Sequence, residues 1–146
     1  MPVIVVGADT PNGRAIIEGL IEPRREVRAF VTDPGVAADL RRSGVKVALG
    51  DVSDDSHIQG AATNCFTAVL VAEAARDDRD RAFAATDAQV LAGWAAAVTA
   101  SNVTRVIWVE DGEVPTTGAR ESVTVSPSHP DLVAEVVALD NAVALG

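Results

Sequence analysis

At 146 residues the chain has the length of one ordinary domain, enough to bury about two-thirds of its unfolded surface without staples. Twelve basic against 21 acidic residues give a formal charge of -9, which repels phosphate backbones and anionic lipid and argues against direct nucleic-acid or membrane binding. Aromatic residues make up only 3%, too few for a base-stacking surface; the lone Cys65 has no disulfide partner, no signal peptide opens the sequence and no apolar run reaches the roughly 20 residues of a membrane span, so a cytoplasmic protein is expected.

Val3-Ile4-Val5-Val6 is a continuous β-branched run ending at Gly7, the pattern of a parallel strand buried on both faces. A helix should follow, capped by Thr10 or Asp9, with Pro11 in its first turn and Ile16, Ile17, Leu20 and Ile21 along one apolar stripe. Val27 to Val31 predicts a second strand, followed by the turn Asp33-Pro34-Gly35 and a helix that carries Val36, Ala37 and Leu40 and ends at Ser43-Gly44. Val45 to Leu49 is the third strand, Ser53 caps a short helix starting Asp54-Asp55, and Ala68 to Ala72 is the fourth strand.

The longest helix is expected from about Asp80 to Ser101, with Phe83, Val90, Leu91, Trp94 and Val98 on its buried side. Val106 to Val109 forms the fifth strand, Ser122 to Ser126 a weaker sixth, and a final helix runs from about Asp131 to the chain end. Strands alternating with helices at this spacing predict a single α/β domain with a doubly wound, Rossmann-like parallel sheet in the order 3-2-1-4-5, the sixth strand beside the fifth. The charge run Arg76 to Arg81 alternates in sign, as a solvated loop would, or as a lid over a ligand.

Gly7-Ala8-Asp9-Thr10-Pro11-Asn12-Gly13 lies between the first strand and first helix, where dinucleotide folds place a glycine-rich turn against a pyrophosphate. It resembles the short-chain dehydrogenase loop in two registers: the classical one with Pro11 at the middle glycine, or the atypical one with Thr10 there. Val27 to Pro34, Gly50 to Asp54 and Ala100 to Ile107 resemble the NmrA-like branch of that superfamily, so the likeness spans about residues 3 to 112. It implies an NAD(P)-binding domain, with Asp51 and Val52 lining an adenine pocket and Ala72 and Glu73 passing the second ribose.

The same resemblance implies a catalytic serine at the end of the fifth strand and a later Tyr-x-x-x-Lys. Here Val109-Glu110-Asp111 stands in the serine region, the sequence holds no tyrosine, and its only lysine, Lys46, is in the third strand. That proton-transfer apparatus is absent. Relatives of this kind also add a substrate-binding part, so a closed substrate pocket formed by this chain alone is not expected.

Each candidate residue also has a plainer role. Gly7 and Gly13 allow close approach either of phosphate or of the packed helix, and Pro11 and Asp9 weaken an anion site by removing a donor and adding negative charge. Asp33, about 20 residues beyond Gly13, suits an acceptor for the adenosine ribose or a turn before Pro34. Thr32 stands where many NmrA-like sequences carry an arginine for a 2′-phosphate, which tilts preference from NADP to NAD, although Arg14 or Arg28 offers a substitute.

Glu110 and Asp111 are an acidic pair at a strand end, suited to a general base or simply to a solvated loop. His57, His129 and Cys65 fit surface, capping and packing roles, and no metal-ligand spacing involves them. The leading expectation is a non-catalytic or sensor-type dinucleotide-binding domain. The alternatives are an oxidoreductase with a non-standard or dimer-completed site and a ligand-free interaction scaffold. Leu132, Val133, Val136, Val137, Leu139 and Val143 give the last helix a broad apolar surface, which predicts a homodimer through that helix or the Trp94 helix.

Overall fold

The computed structural model describes residues 1–143. Strands β1 (Val3–Val6), β2 (Val27–Val31), β3 (Lys46–Leu49), β4 (Thr67–Val71), β5 (Arg105–Val109) and β6 (Glu121–Val125) form one sheet in the order β3-β2-β1-β4-β5-β6, with every neighbouring pair parallel. Helices α1 (Pro11–Leu20), α2 (Pro34–Arg42), α3 (Asp55–Ala61), α4 (Glu73–Arg76), α5 (Asp87–Ala100) and α6 (Leu132–Asn141) occupy the connections. The Rossmann-like order read from the alternation of strands and helices is the order found.

Burial on both faces explains why the central strands are unbroken apolar runs. Val3, Val5, Val69, Val71, Ile107 and Val109 point into one core, closed by Ile16, Ile17 and Leu20 of α1, Ala37 and Leu40 of α2, and Leu132 and Val136 of α6. Ile4, Val6, Ala68, Leu70, Val106 and Trp108 point into the other, closed by Ile58 of α3, Ala74 and Ala75 of α4, and Val90, Leu91, Trp94 and Val98 of α5. Side chains alternate between the cores because successive strand residues face opposite sides. The Trp94 indole N–H donates to the Val52 carbonyl at 2.8 Å, fixing α5 beneath the tip of β3.

Four local details depart from the sequence reading. Pro34 opens α2 rather than sitting in a separate turn, because the Asp33 carboxylate caps it by accepting from the Gly35 and Val36 N–H groups. Asp54, not Ser53, caps α3, accepting from the His57 N–H, while Ser53 turns toward Asp51. The final helix ends at Asn141; residues 144–146 of the expected helix lie outside the described residues.

The fourth departure bears on the site. The expected helix from Asp80 does not form: α5 starts at Asp87, where Thr86 and Gln89 make a reciprocal capping box, and the separate short helix α4 precedes it. Phe83, expected on the buried stripe, is 69% exposed. Residues 77–86 instead run irregularly over the carboxyl ends of the strands, where their polar groups find partners on other loops.

Candidate functional site

The carboxyl ends of β1 and β4, adjacent strands whose connections leave in opposite directions, open the crevice in which α/β sheets of this order bind ligands. The turn from Gly7 to Gly13 forms its floor. Gly7 has φ +86° and donates its N–H to the Phe30 carbonyl; a Cβ there would lie 2.9 Å from the Ala74 Cβ and 3.0 Å from the Val71 carbonyl oxygen. A Cβ on Gly13 would sit 2.1 Å from the Gly7 carbonyl oxygen, so α1 can approach β1 this closely only with glycine at that position.

Thr10 is the N-cap of α1. Its buried hydroxyl donates to the Gly7 carbonyl at 2.7 Å and accepts from the Gly13 N–H at 3.0 Å. Pro11 takes the first helical position, where the lack of an N–H breaks no helix bond. The Arg14 N–H returns to the Thr10 carbonyl, leaving the Asn12 N–H as the first-turn amide without a partner among the described residues. The turn thus keeps the shape of a phosphate cradle with fewer donors than an all-glycine version offers.

Asp9 does not stand as a free negative charge beside that cradle. One carboxylate oxygen accepts from the Thr32 and Asp33 N–H groups at 2.8 and 3.2 Å, and the other pairs with Arg79 Nη1 at 2.8 Å. The same Arg79 nitrogen donates to Thr32 Oγ1 at 3.3 Å, while Nε and Nη2 grip both oxygens of Asp77 at 2.7 Å. Arg79 lies in the sequence run read as a solvated loop or a lid, yet its side chain is 11% exposed and that of Asp9 is 5% exposed. Sequence reasoning missed this residue because the helix assigned from Asp80 hid the crossing; the one available signal was the alternating charge run itself.

Asp51 lies at the tip of β3, as the resemblance implies. One oxygen accepts from the N–H and hydroxyl of Ser53 at 2.8 and 2.6 Å, and the other accepts from the Ala82 N–H at 2.8 Å. Partial burial works to raise its pKa, but these hydrogen bonds and the nearby Arg81 outweigh it and hold the carboxyl below its ordinary range. Ser53 Oγ also accepts from the Phe83 N–H at 3.0 Å. Val52 is fully buried with its carbonyl committed to Trp94; Ala72 is buried at the head of α4 and Glu73 beside it is exposed.

Glu110 is buried at the end of β5 and pairs with Arg76, whose Nε donates to Asp87 at 3.1 Å. The Arg76 hydrogen bond lowers the Glu110 pKa against the opposing effect of burial, so the group is an anion at neutral pH, not a poised proton donor. Asp111 accepts from Ser126 Oγ and is exposed. Beside this cluster, Arg76, Asp87, Ala88, Leu91, Val114 and Pro115 line an open cleft of about 340 Å³. Lys46 lies at the opposite, amino-terminal end of the sheet, bound to Glu26. Burial pushes the Cys65 thiol up to about 11, consistent with packing and not nucleophilic attack.

The structure therefore brings Gly7, Asp9, Thr10, Pro11, Asn12, Gly13, Thr32, Asp33, Asp51, Val52, Ala72 and Glu73 to one edge of the sheet, with Glu110 and Asp111 at the neighbouring strand end. This is the edge of a dinucleotide-binding domain. Residues 7–141 match the NAD(P)H-binding family, and the chain belongs to it.

No curated protein matches the sequence. Among solved structures, a triphenylmethane reductase of Citrobacter sp. is similar with a TM-score of 0.62 and 17% identity, covering 97% of this chain and 46% of that one. An NADPH-dependent quinone oxidoreductase of Escherichia coli complexed with NADPH has a TM-score of 0.60 at 20% identity, over 74% of this chain and 36% of that one. An anaerobillin reductase of Escherichia coli O157:H7 has a TM-score of 0.59 at 21% identity, over 76% and 51%. The chain thus spans between 36% and 51% of the length of these structures, and at such identities the likeness shows the fold.

Proposed function

We propose that this domain binds a nicotinamide dinucleotide as a binding or sensing module, without itself carrying out proton-coupled hydride transfer. The observation that carries the reading is the Gly7–Gly13 turn, whose two glycine positions exclude a Cβ and whose helix N-terminus faces the crevice. Asn12 would face the pyrophosphate, Asp33 a ribose, Asp51 and Val52 the adenine, and Ala72 and Glu73 the second ribose. The nicotinamide ring would supply the capacity to carry a hydride. The pyrophosphate turn fits such a group as it stands; the adenosine end fits only with residues 77–86 moved aside.

Against catalysis by this chain stand the absence of tyrosine from its sequence and the position of its sole lysine at the far end of the sheet. NAD is the favoured partner in this reading, since Asp33 would repel a 2′-phosphate and Thr32 stands where an arginine would be needed to hold one. Titration calorimetry with NAD, NADH, NADP and NADPH tests both points: micromolar binding of the NAD pair supports them, tighter binding of the NADP pair reverses the preference, and no heat from any of the four, with the wild-type chain and with a variant in which residues 77–86 are loosened, rejects the binding role.

A second reading, an oxidoreductase with a non-standard site, draws on the reductase neighbours and on Glu110, Arg76 and Asp87 beside an open cleft. It requires dinucleotide-dependent turnover of an acceptor that Glu110→Gln with Asp111→Asn reduces; unchanged turnover in that pair would rule out these acids. The homodimer expected from sequence, through α6 or α5, has to form on faces that keep little apolar surface, because Val133, Val137 and Leu139 of α6 pack beside α1 and Val90, Leu91, Trp94 and Val98 of α5 are buried against the sheet. Light scattering at micromolar concentration should give twice the chain mass, and a single-chain mass would remove it. The ligand-free scaffold is what remains if calorimetry is silent.

A further inference from the structure

Residues 77–86 cross the tips of β1, β2 and β3, and their anchors lie on the three loops that the binding reading gives to adenosine. Arg79 reaches Asp9 on the phosphate turn and Thr32 at the end of β2. The Ala82 N–H donates to Asp51 Oδ2, the acceptor that an adenine amine would use, and the Phe83 N–H takes the hydroxyl of Ser53 next to it. The segment therefore satisfies, from within the chain, acceptors that an adenosine would otherwise satisfy.

Apart from Ala84, which packs against the core, what holds the segment is polar. Asp78, Asp80, Ala82, Phe83, Ala85 and Thr86 are exposed, and Phe83 buries little of its ring. A stretch with few buried apolar contacts, fixed by a handful of hydrogen bonds and one ion-pair cluster, belongs to the part of a fold that opens at low cost. Its bonds are of the kind a ligand can exchange one for one, with donors traded for donors.

We propose that residues 77–86 are a displaceable strap that closes the adenosine half of the crevice by mimicking the ligand's hydrogen bonds, so that dinucleotide binds only the strap-open form. The inference rests on the dinucleotide-binding reading. Apparent affinity is then the intrinsic affinity scaled by the open fraction, and weakening the strap raises it. Arg79 is a positioning residue in this scheme: it holds the strap shut and does not touch the ligand.

The test compares NADH and NADPH binding by calorimetry in the wild-type chain and Arg79→Ala, together with hydrogen exchange at the Ala82 and Phe83 amides of the wild-type chain. The strap predicts about 10-fold tighter binding of either nucleotide by the variant, and faster exchange at both amides when nucleotide saturates the wild type. Weaker or equal binding by Arg79→Ala overturns the strap, as does stronger protection of the two amides, which would make the segment a lid closing over ligand. Binding by neither protein overturns the dinucleotide reading and the strap with it, whereas equal binding by both overturns the strap alone. If Arg79→Ala fails to fold, the exchange measurement on the wild type decides the question.

Discussion

The phosphate turn and the strap face each other across the same crevice, and they are built in opposite ways. In the turn, Gly7, Thr10 and Gly13 bond to one another within a span of seven consecutive residues, 7–13, and the shape is set by two positions where a Cβ does not fit. In the strap, Arg79, Ala82 and Phe83 are held by Asp9, Thr32, Asp51 and Ser53, all distant in sequence, and no backbone geometry of residues 77–86 requires the crossing. The first region is fixed by bonds within the turn and by close packing, of Gly13 on the Gly7 carbonyl and of Gly7 on Val71 and Ala74. The second is stable only while its distant partners are in place, which is the property expected of a movable part.

If that contrast holds, the turn should tolerate substitution least. Gly13→Ala would force α1 away from the Gly7 carbonyl and is expected to cost about 2–3 kcal/mol by chemical denaturation, with loss of any nucleotide binding; a cost near zero would show that α1 can shift freely. Thr10→Ala removes the helix cap and the bond to the Gly7 carbonyl together, for about 1–2 kcal/mol. Because both partners are local, its effect should be the same whether or not the strap is weakened by Arg79→Ala, and coupling between the two substitutions in a double-mutant cycle would break the distinction.

The smallest effect is expected on the strap side. Ser53→Ala removes the acceptor for the Phe83 N–H and one of the bonds to Asp51, for about 0.5–1 kcal/mol in global stability, while exchange at the Phe83 amide should quicken selectively. Uniformly faster exchange across the sheet would mean that residues 77–86 are part of the cooperative fold.

The remaining acidic and basic groups sharpen the same division. Glu110 with Arg76 and Asp9 with Arg79 are buried or nearly buried carboxylates, each neutralised by an arginine from the connection after β4. That connection therefore serves both ends of the crevice: Arg76 steadies the end of β5, and Arg79 steadies the tips of β1 and β2. Removing Arg76 would leave the buried Glu110 carboxylate unpaired at a cost, whereas Asp9 keeps the Thr32 and Asp33 N–H groups when Arg79 leaves it.

The amino-acid sequence by itself determined the alternation of strands and helices, the sheet order, the glycine turn with Thr10 as cap, and the absence of a tyrosine to donate a proton. Most of those features are local, since β-branched runs, cap residues and Gly13 act through neighbours within one turn or one strand, and the sheet order follows from the right-handed crossovers that alternating strands and helices impose. Only the tertiary structure decided the path of residues 77–86, the partners of Asp9 and Asp51, the use of Asp33 as a helix cap, and the packing of α6 against α1. Periodicity extended α5 back to Asp80 because Phe83 fits its stripe. The folded chain instead starts that helix at a capping box and lets the preceding residues bond to loops brought near by the sheet, since the gain from satisfying Asp9 and Asp51 depends on distances that do not exist until the strands have paired.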